Sequence, residues 1–244
     1  MKRPTTLFML LIVASVFLFF MLNLLLGSVA IPLKSVWHIL MHTGDEPQVW
    51  QNIILKSRVP QSLTALVAGA GLAISGLQMQ TVFRNPLAGP SVLGISSGAS
   101  LGVAFVVLLS GSLGGVALSK LGYVGEIALS VAAIAGALSI MALIVYVSQK
   151  VKGNVTLLII GVMIGYVANA IIGVLKYFSV EEDIRAYVIW GLGSFSRVSG
   201  DQVILFVILM SALIPLSFLL IKTMNLMLLG DGYARNLGLN IDRK

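Results

Sequence analysis

Apolar residues run almost unbroken through six stretches of this 244-residue chain, at about 7–27, 59–83, 92–110, 123–147, 155–178 and 203–224, and polar residues gather between them. Roughly 20 residues at 1.5 Å each cross the ~30 Å hydrocarbon layer of a membrane. The pattern therefore predicts six spanning helices and an all-α fold class, a polytopic transmembrane helical bundle. One connection interrupts it sharply: Arg84-Asn85-Pro86-Leu87-Ala88-Gly89-Pro90-Ser91-Val92-Leu93-Gly94 is polar and proline-broken, yet sits between two apolar runs. Non-helical backbone at membrane depth is tolerated only where protein or a water-filled cavity satisfies its N–H and C=O groups, so this segment belongs at a membrane face or beside a pathway.

The first run follows Lys2 and Arg3 and ends near Ser28-Val29-Ala30. Its apolar core of about 20 residues exceeds the ~7–15 of a secretory signal, so it reads as a retained helix. With the N-terminus inside, the runs alternate so that the short connections 84–91 and 149–154 and the tail after Lys222 are cytoplasmic. The long connections 28–58 and 179–202 then lie outside and hold Trp37, Trp50 and Trp190 as interfacial anchors.

Composition agrees: 58% of residues are hydrophobic, mean hydropathy is +1.01, and 10% are charged, against roughly 25% in soluble domains. The net charge of +7 does not point to nucleic acid, because the basic residues stand singly at the ends of apolar runs, where they anchor helices at headgroups. Zero cysteines exclude disulfides and thiolate metal sites and leave the redox compartment undetermined.

Small residues recur at helical spacing inside the runs: Gly94, Gly98 and Gly102 in the third, and Gly161, Gly165, Asn169 and Gly173 in the fifth. Glycines four apart give a smooth face that lets helix backbones approach. In the fifth run Asn169 puts an amide at depth, which needs a helix partner or water. There packing and pathway lining compete evenly. Gly94-Ile95-Ser96-Ser97-Gly98 satisfies the G-x-S-x-G pattern of a serine nucleophile, but both histidines, His38 and His42, fall in the first external connection, and a hydroxyl without a base is a poor nucleophile. His38 and His42 stand four apart and would share a face if their segment were helical, with only Asp45 and Glu46 as nearby carboxylates, which favours a solvated interfacial face over a metal site. No P-loop occurs, so ATP is not bound here in that manner. No run carries a charge at its centre, which weighs against an ion-coupled transporter. No catalytic residue, metal or cofactor is predicted.

After Lys222, Leu228-Leu229-Gly230-Asp231-Gly232-Tyr233-Ala234-Arg235-Asn236-Leu237-Gly238 reads as a glycine turn followed by a short amphipathic helix, with Ala234, Leu237 and Gly238 on one small apolar face. Such a face suits either a docking partner or a lipid surface.

Arg58-Val59-Pro60, Gly69-Ala70-Gly71-Leu72-Ala73-Ile74-Ser75-Gly76, Gln80, the Arg84-to-Gly94 segment and Ser97-Gly98-Ala99, in this order, resemble the FecCD family, the permease subunits of ABC importers for iron–siderophores, haem and vitamin B12. The resemblance continues through Gly161-Val162-Met163-Ile164-Gly165, Trp190-Gly191-Leu192-Gly193-Ser194 and the tail. It implies two permeases, a homodimer or a pair of close paralogues, around a central pathway in the cytoplasmic membrane. Cytosolic ATP-binding subunits drive it and an extracytoplasmic substrate-binding protein delivers the ligand.

The resemblance also implies roles. Arg58 and Gln61 match the Arg-x-Pro-Arg corner that meets acidic residues of the binding protein; here the second arginine is lost, and Gln61 lacks a guanidinium's bidentate pairing. Asn85, Pro86 and Leu87 match a turn closing the cytoplasmic end of the pathway, and Asn154 lies near a second gate position. The Gly161, Gly165, Asn169, Gly173 helix matches one that lines the pathway. Residues 225–240, with Gly230, Asp231, Ala234, Leu237 and Gly238, match the coupling segment that docks on the ATPase. Residues 1–244 form one permease domain in this reading. Family members have more spanning helices, so the chain is expected to be C-terminally incomplete, to be followed by roughly four further spans of ~20 apolar residues, and not to transport alone. The competing readings are a transport-inactive membrane assembly protein and an intramembrane serine hydrolase.

Overall fold

A computed structural model describes residues 3–112, 123–151, 153–196, 198, 200–230, 232 and 236–237. All six apolar runs are helical, and the described residues contain no strand. The helices are α1 (Arg3–Leu25), α2 (Leu33–Leu40), α3 (Gln48–Ile53), α4 (Val59–Phe83), α5 (Ile95–Ser112), α6 (Tyr123–Ser148), α7 (Asn154–Phe178), α8 (Glu181–Gly191), α9 (Gly200–Phe218) and α10 (Ile221–Leu228). Among the described residues four helical stretches are long and apolar enough to cross a membrane, and α9 with α10 makes a fifth if they form one broken span.

Three boundaries differ from the pattern. The third run starts as a turn, and its apolar helix, Ile95–Leu109, is shorter than a span. The sixth run breaks after Phe218, just beyond Pro215, which removes one helical hydrogen bond. The 28–58 connection is not a loop: it folds into α2, α3 and a π-helical turn, Ile54–Arg58, that leads into α4. The π turn has a local cause. In a straight α-helix the Pro60 ring would meet the carbonyl four residues back, and a wider turn relieves that collision.

The chain divides into two compact units, residues 1–72 with 194–218 and residues 73–193 with 219–244. In the first, Leu24, Ile31, Val36, Ile39 and Ile54 form a core under the end of α1. In the second, α5 and α7 run parallel with α6 antiparallel to them. One core, of Phe83, Ala88, Leu93, Ile144 and Leu158, packs at the starts of α5 and α7. The other, of Val103, Ala104, Val107, Leu108, Ile172 and Tyr187, packs at their ends, where α8 closes over it.

Glycines set the helix crossings in this second unit. A Cβ on Gly98 would lie 2.7 Å from the Gly136 carbonyl oxygen, and one on Gly136 would lie 3.0 Å from the Gly102 nitrogen, so α5 and α6 touch backbone to backbone. Gly94 (φ +73°) starts α5 against α7, where a Cβ would lie 2.8 Å from the Gly161 carbonyl oxygen. Inside lipid such contact stabilises through van der Waals packing, since the hydrophobic drive is absent there.

Candidate functional site

The Arg84–Gly94 segment hydrogen-bonds much of its backbone within a single unit. Helix α4 ends in a Schellman motif: the Asn85 N–H donates to the Gln80 carbonyl at 3.1 Å and the Arg84 N–H to the Thr81 carbonyl at 3.3 Å. Arg84 takes the left-handed position of that motif, with φ 47°. Glycine is the usual occupant, and an L side chain there costs about 1–2 kcal/mol. The next exposed carbonyl of α4, on Val82, accepts from Asn154 Nδ2 at 3.0 Å. The Gln80, Thr81 and Val82 carbonyls, which lack partners inside the helix, are thus satisfied.

Beyond the cap, the Asn85 side chain accepts from the Leu87 N–H at 2.9 Å, which holds Asn85-Pro86-Leu87 as a tight turn. Leu87 projects outward, 82% exposed, while Ala88 and Leu93 insert into the core beneath, each 3% exposed. Ala88, Val92 and Gly94 donate to Asn85, Gly89 and Ser91, a chain of small turns that brings the backbone to α5.

A second contact joins this turn to the start of the tail. Arg84 Nη2 donates to the Met227 carbonyl at 3.1 Å. That carbonyl also accepts from the Gly230 N–H at 3.2 Å, and Gly230 turns the chain with φ 98°. The cation thus lies at the C-terminus of α10, where the helix dipole favours it. Four of the sequence-predicted residues, Asn85, Pro86, Leu87 and Asn154, therefore meet at the end of α4, and Gly230 follows α10 beside them. Leu237 is exposed. Asp231, Ala234 and Gly238 lie outside the described residues.

Sequence reasoning left Arg84 and Met227 out of the site. Arg84 carried a signal, an arginine where a helix ending in a turn favours glycine. Met227 carried none, because it acts through its main chain.

The predicted lining helix divides. Gly161 and Gly165 are buried with Leu158, Ala168 and Ile172 on one face of α7 and pack on Leu93, Gly94 and Ser97. Asn169 is exposed, and Gly173 has nothing within 4 Å of where a Cβ would stand. For Gly161 and Gly165 the packing alternative is the one observed.

The outer corner also differs from expectation. An external charge partner needs an outward guanidinium, and Arg58 is 5% exposed. Its Nη1 donates to the Leu24 and Leu25 carbonyls at 2.8 and 3.0 Å and its Nη2 to the Val29 carbonyl, capping the end of α1. Gly27 makes room, since a Cβ there would lie 2.6 Å from Nη2. Gln61 is partly exposed at the start of α4. Nearby, α2 ends at Leu40 and His42 lies beyond it with φ 54°, so the two histidines do not share a helix face. His38 Nδ1 instead pairs with Glu46 Oε1 at 3.1 Å.

Comparison with known proteins places the chain. The model of the FecCD transport family matches residues 12–244. The hemin transport system permease protein HmuU of Yersinia pestis is 33% identical over 217 residues, 88% of this chain and 61% of that protein. The vitamin B12 import system permease protein BtuC of Citrobacter koseri is 38% identical over 195 residues, 78% of this chain and 53% of that protein. The chain spans between half and two thirds of the length of these curated relatives. A solved metal-chelate type ABC transporter in an inward-facing conformation superposes with a TM-score of 0.77 at 26% identity, covering 99% of this chain and 70% of that one.

Proposed function

The chain belongs to the FecCD transport family, and we propose that it is the permease part of a binding-protein-dependent ABC importer that carries a haem, iron-chelate or cobalamin-type ligand inward across the cytoplasmic membrane. The observation that carries this reading is the junction at the end of α4, where Asn154 bonds the Val82 carbonyl, Arg84 bonds the end of α10 and the self-bonded Asn85–Leu87 turn follows directly, all within a single unit. A gate and a drive segment need such a meeting. Asn85, Pro86, Leu87 and Asn154 close the cytoplasmic end of the pathway in this proposal. Asn169 and Gly173, off the packed face of α7, line it, and residues 225–240 dock on a cytosolic ATPase. The binding protein meets the corner at Gln61, with Arg58 fixing that corner from within. The chemistry is non-covalent: ATP is hydrolysed by the partner, and this chain converts that cycle into opening of the pathway, as one of two permeases.

The docking role of the tail is tested by Leu237→Glu. A carboxylate pressed into a packed protein groove would be desolvated and unpaired, so the variant should insert into the membrane and fail to co-purify with the ATPase. Full co-purification would remove Leu237 from the interface.

A further inference from the structure

We propose that Arg84 is the positioning residue that ties the gate turn to the end of α10, so that movement of the segment starting at Gly230 is carried directly to Asn85–Leu87. The inference rests on the importer reading above and assigns the transmission step to one side chain.

The side chain is not needed to finish its own helix. The terminal carbonyls of α4 on Gln80 and Thr81 are taken by main-chain donors, and Val82 by Asn154. Arg84 also occupies a left-handed backbone position that glycine fills without strain. What the arginine adds is the reach of its guanidinium, which extends across 143 residues to the Met227 carbonyl. That carbonyl receives the Gly230 N–H as well, so the cation grips the last turn of α10 at the point where the tail departs. A charge-assisted bond of this kind is stronger than a neutral one. Asn154 makes the matching tie from α7 to α4. With both ties in place, the turn, the start of α7 and the end of α10 move as one body.

These 244 residues hold no cysteine, so paired labels can be placed once any cysteine elsewhere in the assembly is replaced by serine. In the natural full-length permease assembled with its ATPase, spin labels at Ser91→Cys and Leu229→Cys, both exposed, should keep one unchanged distance distribution with and without bound nucleotide. Adding Arg84→Gly should broaden or split it. Because glycine suits the backbone there, the same variant should keep its thermal midpoint and its ATP hydrolysis. Ligand taken up per ATP should fall by about tenfold, within the usual range of coupling between sites. Arg84→Lys, which retains a cationic donor for the Met227 carbonyl, should recover most of the uptake. A distance that changes with nucleotide in the parent, or an Arg84→Gly variant with parental uptake per ATP, overturns the link. The label reading requires no transported ligand: a parent that binds ATPase and keeps a fixed distance yet moves no chelate contradicts the importer reading and leaves the link standing, whereas a parent that binds no ATPase overturns both.

Discussion

Arg58 and Arg84 both donate to main-chain carbonyls at helix ends, and sequence names neither acceptor, although an arginine where a turn favours glycine marks Arg84. A basic residue at the end of an apolar run is read as an anchor or a partner contact, and a helix C-terminus offers the same negative potential as a carboxylate outside. Arg58 is the more consequential for stability, because three carbonyls lose their donor with it. Arg58→Met should cost on the order of 3 kcal/mol, since buried acceptors left unpaired cost ~1–3 kcal/mol each and part of that is recovered by relaxation; thermal unfolding in detergent measures it. Asp183, in the first turn of α8, is the opposite case. It is 5% exposed and its Oδ2 has no hydrogen-bond partner. Burial, reinforced by neighbouring Glu182, pushes its carboxyl above the ordinary 3.8. The folded state thus holds this proton more tightly than the unfolded chain. The stability this gives is present below the ordinary value and is lost as pH rises through the raised one. At neutral pH the buried charge destabilises, so Asp183→Asn should raise the thermal midpoint there and change it little in acid; a lowered midpoint at neutral pH would mean that the carboxylate has a native partner.

At the scale of elements, apolar runs translated into helices because run length alone decides that question in a membrane. What sequence could not settle was which face each helix uses. The stripe Gly161, Gly165, Asn169, Gly173 advances by four residues, and each such step drifts about 40° round a helix of 3.6 residues per turn. After three steps it has left the packed face, which follows Gly161, Gly165, Ala168 and Ile172 instead. Gly136 was overlooked for a related reason: a single glycine among the alanines of α6 makes no stripe, although its partners on α5 do. Gly136→Val should therefore disrupt the α5–α6 crossing by about 3 kcal/mol or more, because the nearest atoms are backbone and cannot step aside. Gly173→Val, with open space around it, should leave unfolding unchanged. Comparable losses in the two variants would contradict the crossing geometry. The apolar stretches of the 28–58 connection are too short to announce helices, yet α2 needs only Val36 and Ile39 to dock on the end of α1.

For the molecule as a whole, composition alone gives the membrane class, and the ordered motifs alone point to the FecCD family. The family model supports that membership over residues 12–244. The junction itself was half legible. Its turn could be seen in Asn85-Pro86-Leu87, but its bonds join α4, α7 and α10 through main-chain carbonyls, which leave no trace in residue identity. The proposed function has this junction serve inward transport of a metal chelate. Its most direct test uses the natural reading frame that contains these 244 residues, reconstituted in vesicles with its ATPase and with its binding protein on the opposite side. Labelled haem, a ferric siderophore and cobalamin are offered in turn. At least one of them should accumulate, and only when ATP is supplied to the ATPase side. ATP hydrolysis stimulated by the binding protein without accumulation of any of the three would contradict it.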